Sequence, residues 1–546
     1  MALTAVTPSD WDIFESGEVD RSTARRDTAV FGSSDLPNSA TWGATTNINY
    51  PVTAGSVCAF YCDGYFQKTI QLSTVSGSMT AFAAGDQVAL APDYVANFLY
   101  AADFKWGSEL VEPPTTPYNA TARIRTWINY SKDYSFFNLG YEDLVLLDEP
   151  GQTQSFTTNA LIGTSRYSLT SLANVAATGV PIPLASQSMS GDTGAPALAF
   201  TSALLQVAGS LAIDMAALSI ALDVGGINFW KRQALTNAGK VVQLRLPLRR
   251  IFDFFAGYDK FLYGLPGNIR LTTNFVASNN SLCAGHLAGT TTGAAGAAIT
   301  AAYIWVLDMK LCIPVKTPTP ELARSLTEKL SGSSSAAFEW QRLVTQPLQS
   351  WTVGAESNPT YIATVACPDD PIDFVCIHGQ PNNYEGSLVF NSYCSILPAS
   401  TFAANNATNT SKRWQQAYIT INSKQYPTLP YGSYDSDYGG QQWDTWLELI
   451  GRKESELIAG LLTRPQYDQN CQVIPFDVRG LEGSTMQAGS TMQVKIVGAA
   501  AAAAAFQTTY SMYATYVTRV KSKFTAMNGA MVYSKIQGGD RSEPRF

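Results

Sequence analysis

Residues 227–273 limit the fold more than any other stretch of this chain. A period-two run, Val242, Leu244 and Leu246 with Gln243 and Arg245 between them, is followed at once by Pro247. Such alternation makes a strand with one buried face. A proline then ends the ladder, because it has no N–H to donate. Ile251, Phe252, Phe254 and Phe255 crowd one short helical turn, continued by Tyr258, Phe261, Leu262 and Tyr263. Gly264 and Pro266-Gly267 mark a turn, and Ile269-Arg270-Leu271-Thr272 opens a second strand.

The rest of the chain is large enough to repeat such units. Its 546 residues and 58.9 kDa exceed one ordinary domain and imply two or more. The 46% hydrophobic and 11% aromatic content can fill large cores. Only 14% is charged, below the usual quarter. Two surfaces fit that figure: a neutral Thr/Ser/Asn-rich coat, or apolar area buried between subunits.

Net charge is −7, and no block of five Lys or Arg occurs. Arg249-Arg250, Arg25-Arg26 and the alternating Arg519, Lys521 and Lys523 read as solvated faces or subunit contacts. A nucleic-acid groove would need clustered cations, so the chain is not expected to wrap a genome. Cys58, Cys62, Cys283, Cys312, Cys367, Cys376, Cys394 and Cys471 contain no CxxC pair. Buried thiols and a reducing compartment are expected. The first twenty residues lack the basic and apolar regions of a signal peptide. Residues 195–213 carry no charge, but Pro196, Gln206 and Gly209 dilute them and Asp214 follows. They read as buried strands rather than a membrane helix.

Taken in order, residues 1–45 form a polar arm. Residues 46–112 hold short strands at 47–50, 58–62, 65–70 and 87–90. Val95, Phe98, Leu99 and Ala102 sit at helical spacing, before a strand over 103–111 with a tight turn near Gly107. Residues 118–152 carry a mixed helical pattern through Ile124, Trp127, Ile128 and Tyr130. Residues 153–226 are weakly periodic, 274–298 read as a small-residue loop, and 299–312 as a strong strand. Pro314, Pro318 and Pro320 then stiffen an extended run. Thr319 is placed to cap a helix with Pro320 and Glu321 in its first turn, running to Leu330 and ending at Gly332. Strand signals resume at Phe338 and Trp340. Trp443, Trp446, Leu447, Leu449 and Ile450 mark an amphipathic helix over roughly 441–462. Strands over 471–478, 492–497, 508–520 and 531–536 close the chain. The seven alanines at 499–505 fit either a short helix or a closely packed strand.

Four of these segments, 92–152, 227–273, 299–332 and 470–536, together resemble, in order, the major capsid proteins of the double jelly-roll lineage, in particular those of polinton-like viruses and virophages. Ala122, Ile124, Thr126, Asn129, Tyr130, Ser131, Lys132, Asp148 and Gly151 match one passage, where Thr121 replaces the family's arginine. Gly107 keeps the turn glycine of another, where Trp106 replaces its asparagine. The resemblance implies an all-β chain of two consecutive eight-stranded jelly rolls with short inserted helices. Its domains are an arm at 1–45, a first jelly roll at 46–312, a linker with a short helix at 313–335, a second jelly roll at 336–536 and a tail at 537–546. It further implies homotrimers of pseudo-hexagonal outline that tile an icosahedral shell around double-stranded DNA. Penton and minor or cement proteins are the expected partners, often with an internal membrane. The implied location is the virion, without secretion through a signal peptide and without sequence-specific nucleic-acid binding.

No chemistry competes with that reading. The two histidines, His286 and His378, lie in no HExxH, Cys/His or triad pattern. Asp435 and Asp437 lack the spacing of a calcium loop and read as turn or capping residues. Glu454 and Glu456, two apart on a helix, do not face each other as a glycosidase pair would. No enzymatic activity, catalytic residue, cofactor or metal is therefore assigned. The rivals are another viral structural protein, a penton or spike, and a carbohydrate-binding or carbohydrate-hydrolysing β-sandwich. A penton predicts one jelly roll, and a secreted sandwich predicts a leader and paired carboxylates.

Overall fold

The computed structural model describes residues 23–32, 46–131, 239–273, 282–291, 302–382, 395, 414–432, 439–451, 460–479, 490–498 and 509–536, less a few loop residues inside those spans. Among the described residues, the principal strands fall into two sets of eight with the same wiring, and the remaining strands are short. The first set is β1 (Thr23–Gly32), β2 (Thr46–Val52), β3 (Tyr65–Ser73), β4 (Leu99–Trp106), β5 (Glu109–Glu112), β6 (Val242–Pro247), β7 (Gly267–Thr273) and β8 (Tyr303–Pro318). The second is β9 (Ser335–Pro347), β10 (Thr360–Ala366), β11 (Ile372–Pro381), β12 (Trp414–Ile421), β13 (Lys424–Gly432), β14 (Val473–Asp477), β15 (Thr491–Gly498) and β16 (Thr509–Met527).

The first set forms antiparallel sheets ordered β1-β8-β3-β6 and β2-β7-β4-β5, and the second forms β9-β16-β11-β14 and β10-β15-β12-β13. Counted within each half, both orders are 1-8-3-6 and 2-7-4-5. That is the double-sheet wiring of a jelly roll, so the chain is two consecutive jelly rolls. A short β17 (Ala530–Lys535) adds to β16.

Helices are inserted between the strands, α1 and α5 at matching points. Helix α1 (Tyr118–Asn129) follows β5. The short α2 (Leu248–Ile251) and α3 (Asp253–Gly257) follow β6. Helix α4 (Pro320–Ser331) joins the halves, and α5 (Gly439–Leu449) follows β13 as α1 follows β5.

Local sequence accounts for much of this. In β6, Val242, Leu244 and Leu246 are buried while Gln243 and Arg245 face out. The residues after Pro247 form α2 and α3, with Ile251, Phe252, Phe254 and Phe255 all buried. Gly107 makes the β4–β5 turn at φ +60, where a side chain is disfavoured. Thr319 caps α4, its Oγ1 accepting the Leu322 N–H at 3.5 Å.

Several expectations change. The helical spacing through Leu99 and Ala102 is strand β4, whose buried residues lie on both faces and so imitate a helical period. Residues 94–98 lie outside the described residues. The arm expected over 1–45 contains β1, which pairs with β8 from Thr23↔Pro318 to Gly32↔Lys310. It carries no strand signal because only Ala29 and Phe31 turn partly inward. The linker expected from 313 starts later, since residues 313–318 continue β8 despite Pro314 and Pro318. The loop expected over 274–298 holds short strands, Leu282–Ala284 against Val88–Leu90 and His286–Leu287 against Thr290–Thr291. The helix expected over 441–462 stops at Leu449, because Gly451 takes a left-handed φ of +65. Residues 153–226, Asp435, Asp437, Glu454, Glu456 and the alanine run lie outside the described residues. No helix among the described residues is long and apolar enough to cross a membrane.

Candidate functional site

The polar and aromatic side chains that an isolated sandwich would leave on its surface converge instead on the seam between the two jelly rolls. Strand alternation puts Leu343 and Thr345 of β9, Phe374, Cys376 and His378 of β11, and Thr515 and Val517 of β16 on the outer face of one sheet. All seven are buried. Helices of the first half cover them. The Thr121 hydroxyl of α1 donates to Thr345 Oγ1 at 2.7 Å, and Thr345 and Thr515 share a 2.8 Å bond. His378 Nε2 lies 2.8 Å from Thr515 Oγ1. Two residues along α1, Arg123 Nη1 donates to Gln380 Oε1 at 3.3 Å.

A buried charge cluster sits beside this ladder. Arg125 of α1 donates from Nε to Asp253 Oδ1 at 2.5 Å, and its Nη2 lies 3.7 Å from Glu112. Glu112 ends β5 and accepts the N–H groups of Asp253 and Phe254 at 3.1 and 3.0 Å. Asp253 Oδ2 in turn accepts the Leu343 N–H at 2.8 Å, so one carboxylate fastens both halves. Burial, reinforced by the Asp253 charge, pushes the Glu112 carboxyl up to about 7. Burial and the Arg123 charge hold His378 well below its ordinary value, so the ring is neutral.

Aromatic rings complete the seam. The β9–β16 ribbon runs past its own sandwich and grips α3. Phe254 meets Trp340 at 5.5 Å and Phe338 at 5.9 Å, and Phe524 reaches Trp106 at 5.9 Å. Rings at these separations and tilts contribute beyond their buried area. A cleft of about 480 Å3 remains between Asn129, Gly257, Glu339, Gln341 and Arg519.

Among the described residues, no helix covers the equivalent outer face of the first jelly roll. Val30, Val241 and Leu307 are exposed there, and Tyr303 and Trp305 are half-buried. Gln67, Thr69 and Gln71 of β3 share that face and are half-buried, while the residues between them are buried on the inner one. The Arg245 guanidinium lies 4.6 Å from the centre of the Tyr65 ring. One sheet face is thus covered from within the chain, and among the described residues its counterpart is not.

Of the residues singled out in the sequence, His378 is a packed strand residue of the seam. His286 lies in the short strand His286–Leu287, which pairs with Thr290–Thr291. Arg250 is no solvated cation: it is buried and paired with Asp93. Cys312, Cys367 and Cys376 are buried thiols, and burial pushes Cys367 up to about 11. Among the described residues no three metal-ligating side chains gather. Sequence reasoning missed Thr121, Thr345, Thr515, Glu112 and Asp253. Such polar residues carry no periodic signal, and only the fold brings them together.

No known protein family model matches the sequence, and no curated protein matches it. Solved structures do. A chain of the 3.5 Å cryo-EM structure of the Sputnik virophage superposes with a TM-score of 0.55 at 10% identity, over 100% of this chain and 96% of that one. The mavirus major capsid protein gives 0.49 at 10% identity, over 99% and 96%. The Faustovirus major capsid protein gives 0.43 at 9% identity, over 94% and 94%. At 10% identity the likeness to the Sputnik chain is one of fold, and it spans the full length.

Proposed function

We infer that the chain is a major capsid protein. It assembles as a trimer of pseudo-hexagonal outline, and many trimers tile an icosahedral shell around a double-stranded DNA genome. One observation carries this reading: one jelly roll has its outer sheet face covered by the other's inserted helices, while the other's equivalent face is uncovered among the described residues. The uncovered face bears Val30, Val241 and Leu307.

The geometry supports a second copy of this chain as its cover. Helix α1 packs over the second jelly roll, and α5 occupies the matching position in the second half. Trp443, Leu447 and Ile450 on and just after α5 are only half-buried within the chain. Laid over the bare face of the next copy, α5 would repeat the internal seam between copies. A head-to-tail contact of this kind either closes into a ring or runs on as a filament. Two similar jelly rolls per chain make a ring of three a ring of six similar units, the shape that fills a sixfold lattice site.

The role is architectural, and the polar groups of the seam serve docking rather than chemistry. Penton and minor capsid proteins are the further partners of such a shell, and the virion is its location. The low charge fits a chain that buries much of its surface between copies.

Light scattering on the size-separated protein tests the reading. A trimer gives roughly 180 kDa, three times the 58.9 kDa chain. Larger shells from concentrated protein, seen by electron microscopy, complete the result. A persistent monomer overturns it.

A further inference from the structure

Among the described residues, strand β1 is the least buried strand of the first jelly roll. Its counterpart in the second, β9, buries Trp340, Leu343 and Thr345. In β1 no residue from Arg25 to Gly32 is buried, and only Ala29 and Phe31 are half-buried. What holds it is the ladder to β8, in register from Thr23↔Pro318 to Gly32↔Lys310. The β8 residues opposite, Leu311, Cys312 and Ile313, are themselves buried. The socket is therefore well formed, and the strand that fills it is nearly all surface.

The strand also stands where copies would meet. Among the described residues β1 is the outermost strand of the sheet, and its Val30 belongs to the bare face. The chain from Gly32 to Thr46 contributes residues 33–45. Fully extended, such a length spans roughly 40 Å. Four strands at roughly 4.8 Å spacing make a sheet about 20 Å wide, so the tether outreaches one sandwich.

We propose that Thr23–Gly32 is an exchanged strand, which in the assembled protein leaves its own β8 and completes the same ladder on a neighbouring copy. This rests on the capsid reading. The exchange makes and breaks the same backbone hydrogen bonds, so it costs little in contacts. It also turns a loosely held local strand into a tie between copies, which strengthens assembly through linkage rather than through new contacts.

Register supplies the test, because Val30 is paired with Cys312. Directly opposed residues of antiparallel strands lie within disulfide reach. Val30→Cys protein is prepared in light and 15N-labelled forms, mixed unfolded in equal amounts, refolded and assembled. It is then oxidised mildly or treated with a short bis-maleimide, and the 30–312 linked peptides are weighed. Exchange predicts mixed light–heavy pairs in about half of the linkages. Pairs only within one isotope place the strand in its own chain and overturn the exchange. The absence of any 30–312 linkage with either reagent also overturns it, since the register is then not kept.

Thr28→Cys with Pro314→Cys reads the same ladder if Val30→Cys impairs assembly. Size measurement of the unmodified chain separates the two levels. Assembly with unmixed pairs removes only the exchange, whereas a chain that stays at 58.9 kDa removes the capsid reading beneath it.

Discussion

The hydroxyl of Thr121 lies 2.7 Å from that of Thr345, across the seam between two jelly rolls and 224 residues apart in sequence. Thr345 passes the contact to Thr515 at 2.8 Å, and Thr515 to His378 at 2.8 Å. Every member of this ladder is buried. The jelly rolls are thus held in one register by groups that lose their partners if the halves shift. Buried polar groups impose this specificity because leaving one unmade is costly.

Thr345→Val keeps the shape of the side chain and removes both of its hydrogen bonds. It should cost about 1–3 kcal/mol, the penalty of leaving buried polar partners unsatisfied. Denaturant titration of the variant measures this. In a double-mutant cycle with Thr121→Val the two losses should be less than additive, because they share one bond. Strict additivity would mean that the hydroxyls are not coupled.

Arg125→Met should be far more damaging. It leaves Glu112 and Asp253 buried side by side without their cation. Breaking a buried ion pair by removing one partner costs about 3–5 kcal/mol. Part of that loss should be recovered in acid, where Glu112 takes up a proton. A loss that does not change with pH would show that Glu112 is not part of the cluster.

Glu112 also sets a pH dependence of its own. Its carboxyl rises from 4.5 to about 7 in the folded chain, so the folded state binds more protons between those values. Its contribution to stability is present below about 4.5 and is lost as pH rises through about 7. Glu112→Gln should flatten that part of the curve. His378 has the opposite sign. Its folded value lies below 6.5, so its contribution is present above 6.5 and is lost as pH falls through the lowered value. Melting temperatures of Glu112→Gln and of His378→Gln between pH 4 and pH 8 separate the two effects.

Two glycines should respond differently to alanine. A Cβ on Gly257 would fall 2.7 Å from the Trp340 Cβ, against backbone-anchored atoms that cannot swing away. Gly257→Ala should therefore prise α3 from β9, at a cost of about 1–3 kcal/mol for overpacking. Gly107 has nothing within 4 Å, so Gly107→Ala meets only the strain of its φ of +60, about 1 kcal/mol. Near-ultraviolet circular dichroism should report lost aromatic packing in the first variant and not in the second.

Leu307→Glu tests the bare face. Leu307 is 44% exposed in the single chain, so a charge there should barely change the monomer's stability. Within a buried contact between copies the same charge would be left unpaired. The variant should melt like the parent yet scatter light as a smaller species. Unchanged assembly would mean that this face is not a contact.

The sequence by itself determined the class of this protein. Alternation through Val242, Leu244 and Leu246, the stop at Pro247, the turn at Gly107 and the capped helix after Thr319 are short-range effects, set by neighbours within a few residues. Tertiary structure alone decided the rest. Thr23–Gly32 becomes a strand because β8 offers it a ladder, since its own side chains bury almost nothing. Leu99 and Ala102 join a strand because the sheet buries both of its faces. Glu112, Arg125, Asp253 and Leu343 become one cluster only when distant elements meet. Charge pairing and hydrogen bonding act over a few ångströms of space, and separation along the chain does not record that distance.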